Sequence, residues 1–89
     1  MPTAPTARFT IRGRDPVAIE VSGDFVASAV VGFDAVIRCV VGDGDITIDL
    51  TACDTVDAAA LEAVVQAEGL VRRAGGAASV LRKRESLHV

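Results

Sequence analysis

The sequence predicts a small α/β domain in which a mixed four-stranded sheet carries its helices on one face. Segments 8–12, 17–21 and 46–50 alternate apolar and polar residues, which is the period of strands. Apolar residues over 25–41 and after Asp57 recur every three or four positions, which is the period of helices. Turns rich in glycine and aspartate separate the segments. A strand between two helices in sequence indicates crossover connections, and therefore a sheet with parallel pairs.

Composition limits the class of protein. The chain has 89 residues, of which 51% are hydrophobic and 24% charged, so we expect one globular domain over 8–89 after a loose tail at 1–7. The formal net charge of −3 argues against nucleic acid and anionic membranes as partners. The apolar stretch 25–41 is too short to span a membrane and contains Asp34 and Arg38. No secretory signal is evident, so a cytoplasmic location is expected.

The first half of the chain predicts a hairpin followed by a helix. Strands 8–12 and 17–21 flank turn residues at 13–16, which is the pattern of a β-hairpin. Ser22, Gly23 and Asp24 are expected to end the second strand and to supply caps for a helix that begins at Phe25. Cys39 falls within this helix and is predicted to be buried as a small apolar residue. Glycines and aspartates at 42–45 end the helix.

The second half predicts strand, loop, helix, strand and a short final helix. Segment 46–50 is expected to be a central strand, and Asp57 is a good N-cap for the helix that follows a short loop. The helix ends at Gly75 and Gly76, after basic residues that complement its dipole. Segment 77–81 is a fourth strand, and 85–89 provides about one turn of helix. The apolar side of the second helix is expected to comprise Leu61, Val64, Val65 and Val71.

Three ordered motifs of this chain point to one family. Residues 49–61 read Asp-Leu-Thr-Ala-Cys-Asp-Thr-Val-Asp-Ala-Ala-Ala-Leu. They resemble the pattern Asp-Leu-Ser-Gly-Val-x-x-Ile-Asp-Ser-Ser-Gly-Leu, which follows the central strand of the STAS domain, the fold of anti-sigma factor antagonists. Segment 22–25 resembles the family's turn before the first helix, and 72–76 resembles its Arg-x-x-Gly-Gly helix stop. The resemblance covers about residues 8–84 and implies a STAS-like fold whose C-terminal helix is truncated.

The resemblance also implies a function without its usual switch. In the family, a partner kinase phosphorylates the second serine after the aspartate, and the matching residue here is Ala59, which follows Ala58. The implied protein is a non-catalytic regulatory module that cannot be phosphorylated at that position. Its implied partner is an anti-sigma factor or related GHKL-type serine kinase. A short fold with an exposed core edge also favours a homodimer contact in place of the missing helix.

The expected partner-binding surface lies around the start of the second helix. The alternative is that this helix start faces solvent without binding a partner, and that its alanines are present only because alanine is the best helix former. An alternative function is a small STAS subunit of a lipid or solute ABC transport system, which would contact the transporter ATPase and would need no phosphorylation. The residues of the expected surface are Asp24, Asp54, Thr55, Asp57, Ala58, Ala59, Ala60 and Leu61.

Other chemistry finds little support in the sequence. Four aspartates (Asp24, Asp49, Asp54 and Asp57) can converge at one end of the sheet and hold Mg²⁺, but each also has a structural role as a cap, turn, loop or strand-end residue. Surrogate phosphoacceptors would be Thr51, Thr55 or Ser28. A groove near Cys53 would suit a small ligand. His88 has no nucleophile tied to it in sequence, so no catalytic residue, metal or cofactor is predicted.

Overall fold

The fold is a mixed β-sheet with two helices packed on one face. The structure, a computed structural model, describes residues 7–14 and 16–82. The strands lie side by side in the order β1-β2-β3-β4, with β1 antiparallel to β2 and the other neighbours parallel. The predicted sheet is therefore confirmed. The elements are β1 (Ala7–Arg12), β2 (Val17–Phe25), a 3₁₀ turn (Ala27–Ala29), α1 (Val30–Val40), β3 (Ile46–Val56), α2 (Ala58–Arg73) and β4 (Ala78–Leu81). The final helical turn expected at 85–89 lies outside the described residues.

Both helices cover the same face of the sheet. Alternate residues of β2 and β3 are buried, and they form a single cluster with the buried sides of α1 and α2. The uncovered face carries residues such as Glu20, Thr47 and Asp49, which are half-buried by their neighbours in the sheet. Within the described part of the chain, no helix is long and apolar enough to cross a membrane.

The three phenylalanines close one side of the core. The rings of Phe25 and Phe33 lie 5.0 Å apart, and the ring of Phe9 lies 6.0 Å and 6.2 Å from them. Phe25 and Phe33 are fully buried. A Cβ on Gly32 would come within 3.1 Å of the Phe9 ring, so the glycine lets β1 and α1 approach closely. The rest of the core is aliphatic, as the composition requires.

Two strands are longer than the alternation predicts. β2 continues to Phe25 and β3 to Val56, whereas the sequence placed their ends at 21 and 50. The reason is two irregularities in the β2–β3 pairing, between Glu20 and Ser22 and between Gly23 and Asp24, which break the side-chain alternation while pairing continues. The predicted helix start at Phe25 is therefore wrong, and so is the role of Asp24 as a helix cap.

Two apolar residues predicted to be buried are exposed. Cys39 lies on the surface of α1, about 120° around the helix axis from the buried row that contains Phe33, Ile37 and Val40. Val65 of α2 is 62% exposed. Both helices are apolar on more than one side, so counting apolar residues overestimates the width of the buried face.

The end of α2 is fixed by a glycine pair. Gly76 N–H donates to the carbonyl of Val71 (3.0 Å) and Gly75 N–H to that of Arg72 (3.0 Å), which is the Schellman arrangement. Gly75 has φ +93°, a backbone conformation that favours glycine. Gly76 lies directly against the carbonyl of Gly44, in the turn between α1 and β3. The predicted helix stop is confirmed, and it also packs two turns together.

Candidate functional site

The candidate site lies where β2 and β3 end side by side. Asp24 pairs with Thr55 and Phe25 with Val56, so the two strands finish at the same edge of the sheet. The N–H of Asp57 then donates to the carbonyl of Phe25 (3.2 Å). Because both strands are parallel and both lead into helices, the starts of α1 and α2 meet at this edge.

The Asp57 carboxylate connects these two helix starts. Its Oδ1 accepts a hydrogen bond from the N–H of Ala60 (2.9 Å), so the predicted N-cap of α2 is confirmed. Its Oδ2 accepts from the N–H of Ala27 (3.0 Å), in the 3₁₀ turn before α1. Val26, which precedes that turn, makes no side-chain cap of its own. One carboxylate therefore satisfies backbone donors of two elements.

The first turn of α2 presents two methyl groups rather than three. Ala58 and Ala59 are exposed, whereas Ala60 is fully buried and Leu61 is half-buried. Ala60 occupies the place of a glycine in the resembled pattern, and its methyl belongs to the core. Ala60 therefore supports the surface from below and cannot contact a partner directly.

The strand ends that lead into the two helices carry exposed polar residues. Asp24 is exposed on β2, and Asp54 and Thr55 are exposed on β3. Asp54 and Thr55 belong to the strand, so the loop expected there is absent. The exposed set at this edge, which we call the junction surface, comprises Asp24, Asp54, Thr55, Ala58 and Ala59. Asp57 is half-buried and directly precedes Ala58, and both of its carboxylate oxygens accept hydrogen bonds from backbone N–H groups.

The aspartates do not assemble into a metal site. Among the described residues, no group of three or more His, Cys, Asp or Glu side chains is placed to hold a metal ion. Asp49 instead accepts hydrogen bonds from the hydroxyl (2.6 Å) and the N–H (2.9 Å) of Thr51. These bonds hold the pKa of Asp49 below its usual value. The Thr51 hydroxyl, one of the candidate phosphoacceptors, therefore already donates a hydrogen bond to Asp49.

The other two candidate phosphoacceptors are Thr55 and Ser28. Thr55 is part of the junction surface, at the end of β3. Ser28 is exposed in the 3₁₀ turn, directly after Ala27, whose N–H is bound to Asp57. The contribution of this turn to the site is not evident from the sequence, because the contact joins residues 30 positions apart. Phosphorylation of either hydroxyl stays a prediction.

Cys53 is a core residue. Its thiol is buried and donates to the carbonyl of Val21 (3.5 Å). Burial raises the pKa of this thiol, and the charges of Asp54 and Asp49 raise it further. A shallow groove of about 420 Å³ lies on α2, and another of about 260 Å³ lies on the uncovered sheet face; neither is lined by Cys53. These two grooves therefore do not support the small-ligand site that was considered near Cys53.

The two thiols should differ sharply in reactivity. Exposed Cys39 is expected to react with a thiol-specific chromogenic disulfide at the rate of a free cysteine. Cys53 is expected to react at least about 100-fold more slowly, because its thiol is buried and held in the protonated form. Stopped-flow titration of the wild type and of Cys39→Ser checks this. A single fast phase that accounts for both thiols of the native protein would contradict the burial of Cys53.

Comparison with known structures identifies the fold. The STAS domain of an antisigma-factor antagonist from Rhodobacter sphaeroides superposes with a TM-score of 0.71 and 18% sequence identity, over 85% of this chain and 86% of that one. A structure of Mglu superposes with a TM-score of 0.71 and 11% identity, over 90% of this chain but only 20% of that one. No protein-family model and no curated protein sequence matches the chain. The fold is therefore that of STAS domains, and it also occurs as a part of a larger chain.

Proposed function

We propose that this chain is a non-catalytic regulatory module of the anti-sigma factor antagonist type, which binds an anti-sigma factor or related GHKL-type serine kinase without control by serine phosphorylation. The observation that carries the proposal is the exposure of Ala58 and Ala59 at the first turn of α2. These two residues stand where the resembled motif has its serines. The structural likeness to an antisigma-factor antagonist supports the class of partner.

The composition of the junction surface supports its proposed role as a protein contact. Its centre is two methyl groups on a helix start, and the nearest capping carboxylate is already bonded to backbone N–H groups. A partner can therefore cover this centre without removing water from an unsatisfied polar side chain. Asp24 and Asp54 add negative charge to the surface, and the surface contains no basic residue. A complementary partner would place Lys or Arg around a flat apolar patch.

The alanines change how binding is regulated. A phosphoryl group on the first turn of α2 would add about −1.5 to −2 charges to a contact that excludes water, and would break it by repulsion and desolvation. Alanine has no oxygen to accept that group. Binding is then set by the concentrations and affinities of the two proteins rather than by the phosphorylation state of this helix start.

Substitution of Ala59 by aspartate should weaken binding by at least about tenfold, because it places a carboxylate in the apolar centre of the contact, where it loses its water. The fold should be retained, since a carboxylate in the first turn of a helix interacts favourably with the helix dipole. The measurement is isothermal titration calorimetry against each GHKL-type kinase of the host, with circular dichroism to monitor folding. Unchanged affinity of Ala59→Asp would remove the junction surface as the contact.

Ala59→Ser is the matched control. Serine is uncharged and only one oxygen atom larger than alanine, so without ATP this variant should bind the kinase nearly as well as the wild type. With kinase and ATP it should gain one phosphate and dissociate, while the wild type should do neither. If no kinase binds, and the chain instead copurifies with an ATPase and a permease, the alternative of a transport-system subunit is favoured.

A further inference from the structure

The outward face of α2 has an exposed apolar centre. The residues on the side of α2 away from the core are Glu62, Val65, Gln66, Gly69, Leu70 and Arg73, which we call the outer stripe. Val65 is 62% exposed and Leu70 is 42% exposed. Five of the six residues, all except Glu62, line a shallow groove of about 420 Å³. The core has no part in this face, because the buried residues of α2 lie on its opposite side.

Among the described residues, none packs against the Cα of Gly69 closely enough to require a glycine there. A glycine in a helix interior costs about 0.5–1 kcal/mol relative to alanine. A Cβ at Gly69 would meet no heavy atom of the described structure within 4 Å, and its φ is not positive. Neither a close internal contact nor a special backbone conformation explains it. A glycine on an outward helix face does allow a second backbone to approach closely.

The outer stripe is complementary to itself. If two α2 helices lie antiparallel about a two-fold axis between residues 67 and 68, Val65 lies level with Leu70 of the other copy, and Gln66 lies level with Gly69. At each end Glu62 faces Arg73, which is an opposite-charge pair. Within the described part of the chain, neither Glu62 nor Arg73 has an ion-pair partner, whereas Arg72 is paired with Glu68 (3.7 Å).

We propose that the outer stripe is the contact between two copies of this chain, paired through antiparallel α2 helices. Charge complementarity at both ends, an apolar centre and an otherwise unexplained glycine all fit this one occupant. The contact spans 62–73, about 18 Å of helix, so the interface is at the small end of specific interfaces. We expect a weak dimer, with a Kd of roughly 10–300 μM. The inference does not depend on the proposed function.

Charge reversal tests the pairing. In the Cys39→Ser background, which excludes disulfide dimers through the exposed thiol, Glu62→Arg and Arg73→Glu should each weaken self-association at least about tenfold, because each creates two like-charge contacts. An equimolar mixture of the two variants should associate as tightly as the parent, since both end contacts of the heterodimer are again opposite in charge. Sedimentation equilibrium over about 5–1,000 μM covers the expected range of Kd.

Arg72→Glu is the matched control, because it reverses a charge in the same helix turn but off the stripe. It should leave the dimer unchanged. The proposal is overturned if the parent stays monomeric over the whole concentration range, if the mixture associates no better than the single variants, or if Arg72→Glu weakens the dimer as much as Arg73→Glu.

Discussion

Replacement of Asp57 by alanine is expected to lower the free energy of unfolding by about 2–3 kcal/mol. Loss of an N-cap alone typically costs about 1 kcal/mol. Here the same side chain also accepts the N–H of Ala27, and hydrogen bonds to a charged acceptor contribute about 1.5–3 kcal/mol. Both helix starts lose an acceptor in the variant. Urea denaturation followed by circular dichroism measures the change, with the slope of the transition as a check on two-state behaviour.

Asp57→Asn separates the two contributions. An asparagine retains one acceptor oxygen but presents an NH₂ group in place of the other, so it can serve Ala60 or Ala27 but not both. Its loss of stability should be about half that of Asp57→Ala. If the alanine variant loses no more than about 1 kcal/mol, the value for a simple cap, then the bond to Ala27 contributes nothing to stability.

Substitution of Gly76 by alanine is the second large effect expected. The added Cβ would clash with the carbonyl oxygen of Gly44 and would lie 2.9 Å from its carbonyl carbon, and both of these are backbone atoms. It would also lie 3.1 Å from Cγ1 of Val71, which is fully buried. Because a backbone cannot rotate away as a flexible side chain does, the two turns must separate. We expect a loss of about 2–4 kcal/mol, at or above the upper end for overpacking.

Gly69→Ala is the matched control for Gly76→Ala. A Cβ at Gly69 meets no atom of residues 7–14 and 16–82 within 4 Å, and alanine is the better helix former, so this variant should gain about 0.5–1 kcal/mol. Both variants are compared by urea denaturation at about 1–2 μM, well below the expected Kd for self-association. Equal stabilities for the two variants would show that the Gly44–Gly76 contact relaxes at little cost.

The order of elements could be predicted from the sequence because its signals are local. Alternation marked the β1–β2 hairpin, and Asp57 and Gly75 marked the ends of α2 by their residue types and positions. The lengths of β2 and β3 could not be predicted. The pairing irregularities near Ser22 and Gly23 shift the side-chain pattern, and polar residues at those positions are indistinguishable in sequence from a turn.

The candidate site was predictable only in part. The capping role of Asp57 follows from its position before an apolar helix, but its second bond, to Ala27, depends on how two crossovers bring their helix starts together. The burial of Ala60 did leave a signal. Ala60 continues the spacing of Val64, Ala67 and Val71, the buried row of α2. An alanine is too weakly apolar to mark a buried face without that comparison.

The limited pairing of β4 leaves part of β3 with an open edge. β4 pairs only with the four residues from Ile46 to Asp49, so in the described structure the remainder of β3 has no strand beside it on that side. Open edges of this kind invite pairing with other chains and lead to aggregation. Thr51, Asp54 and Thr55 place polar and charged groups along the open stretch, and the irregular pairing with β2 disturbs its regularity. The exposed carboxylate of Asp54 is the kind of charge that discourages another strand from pairing with this edge, so we expect it to oppose aggregation when no partner is bound.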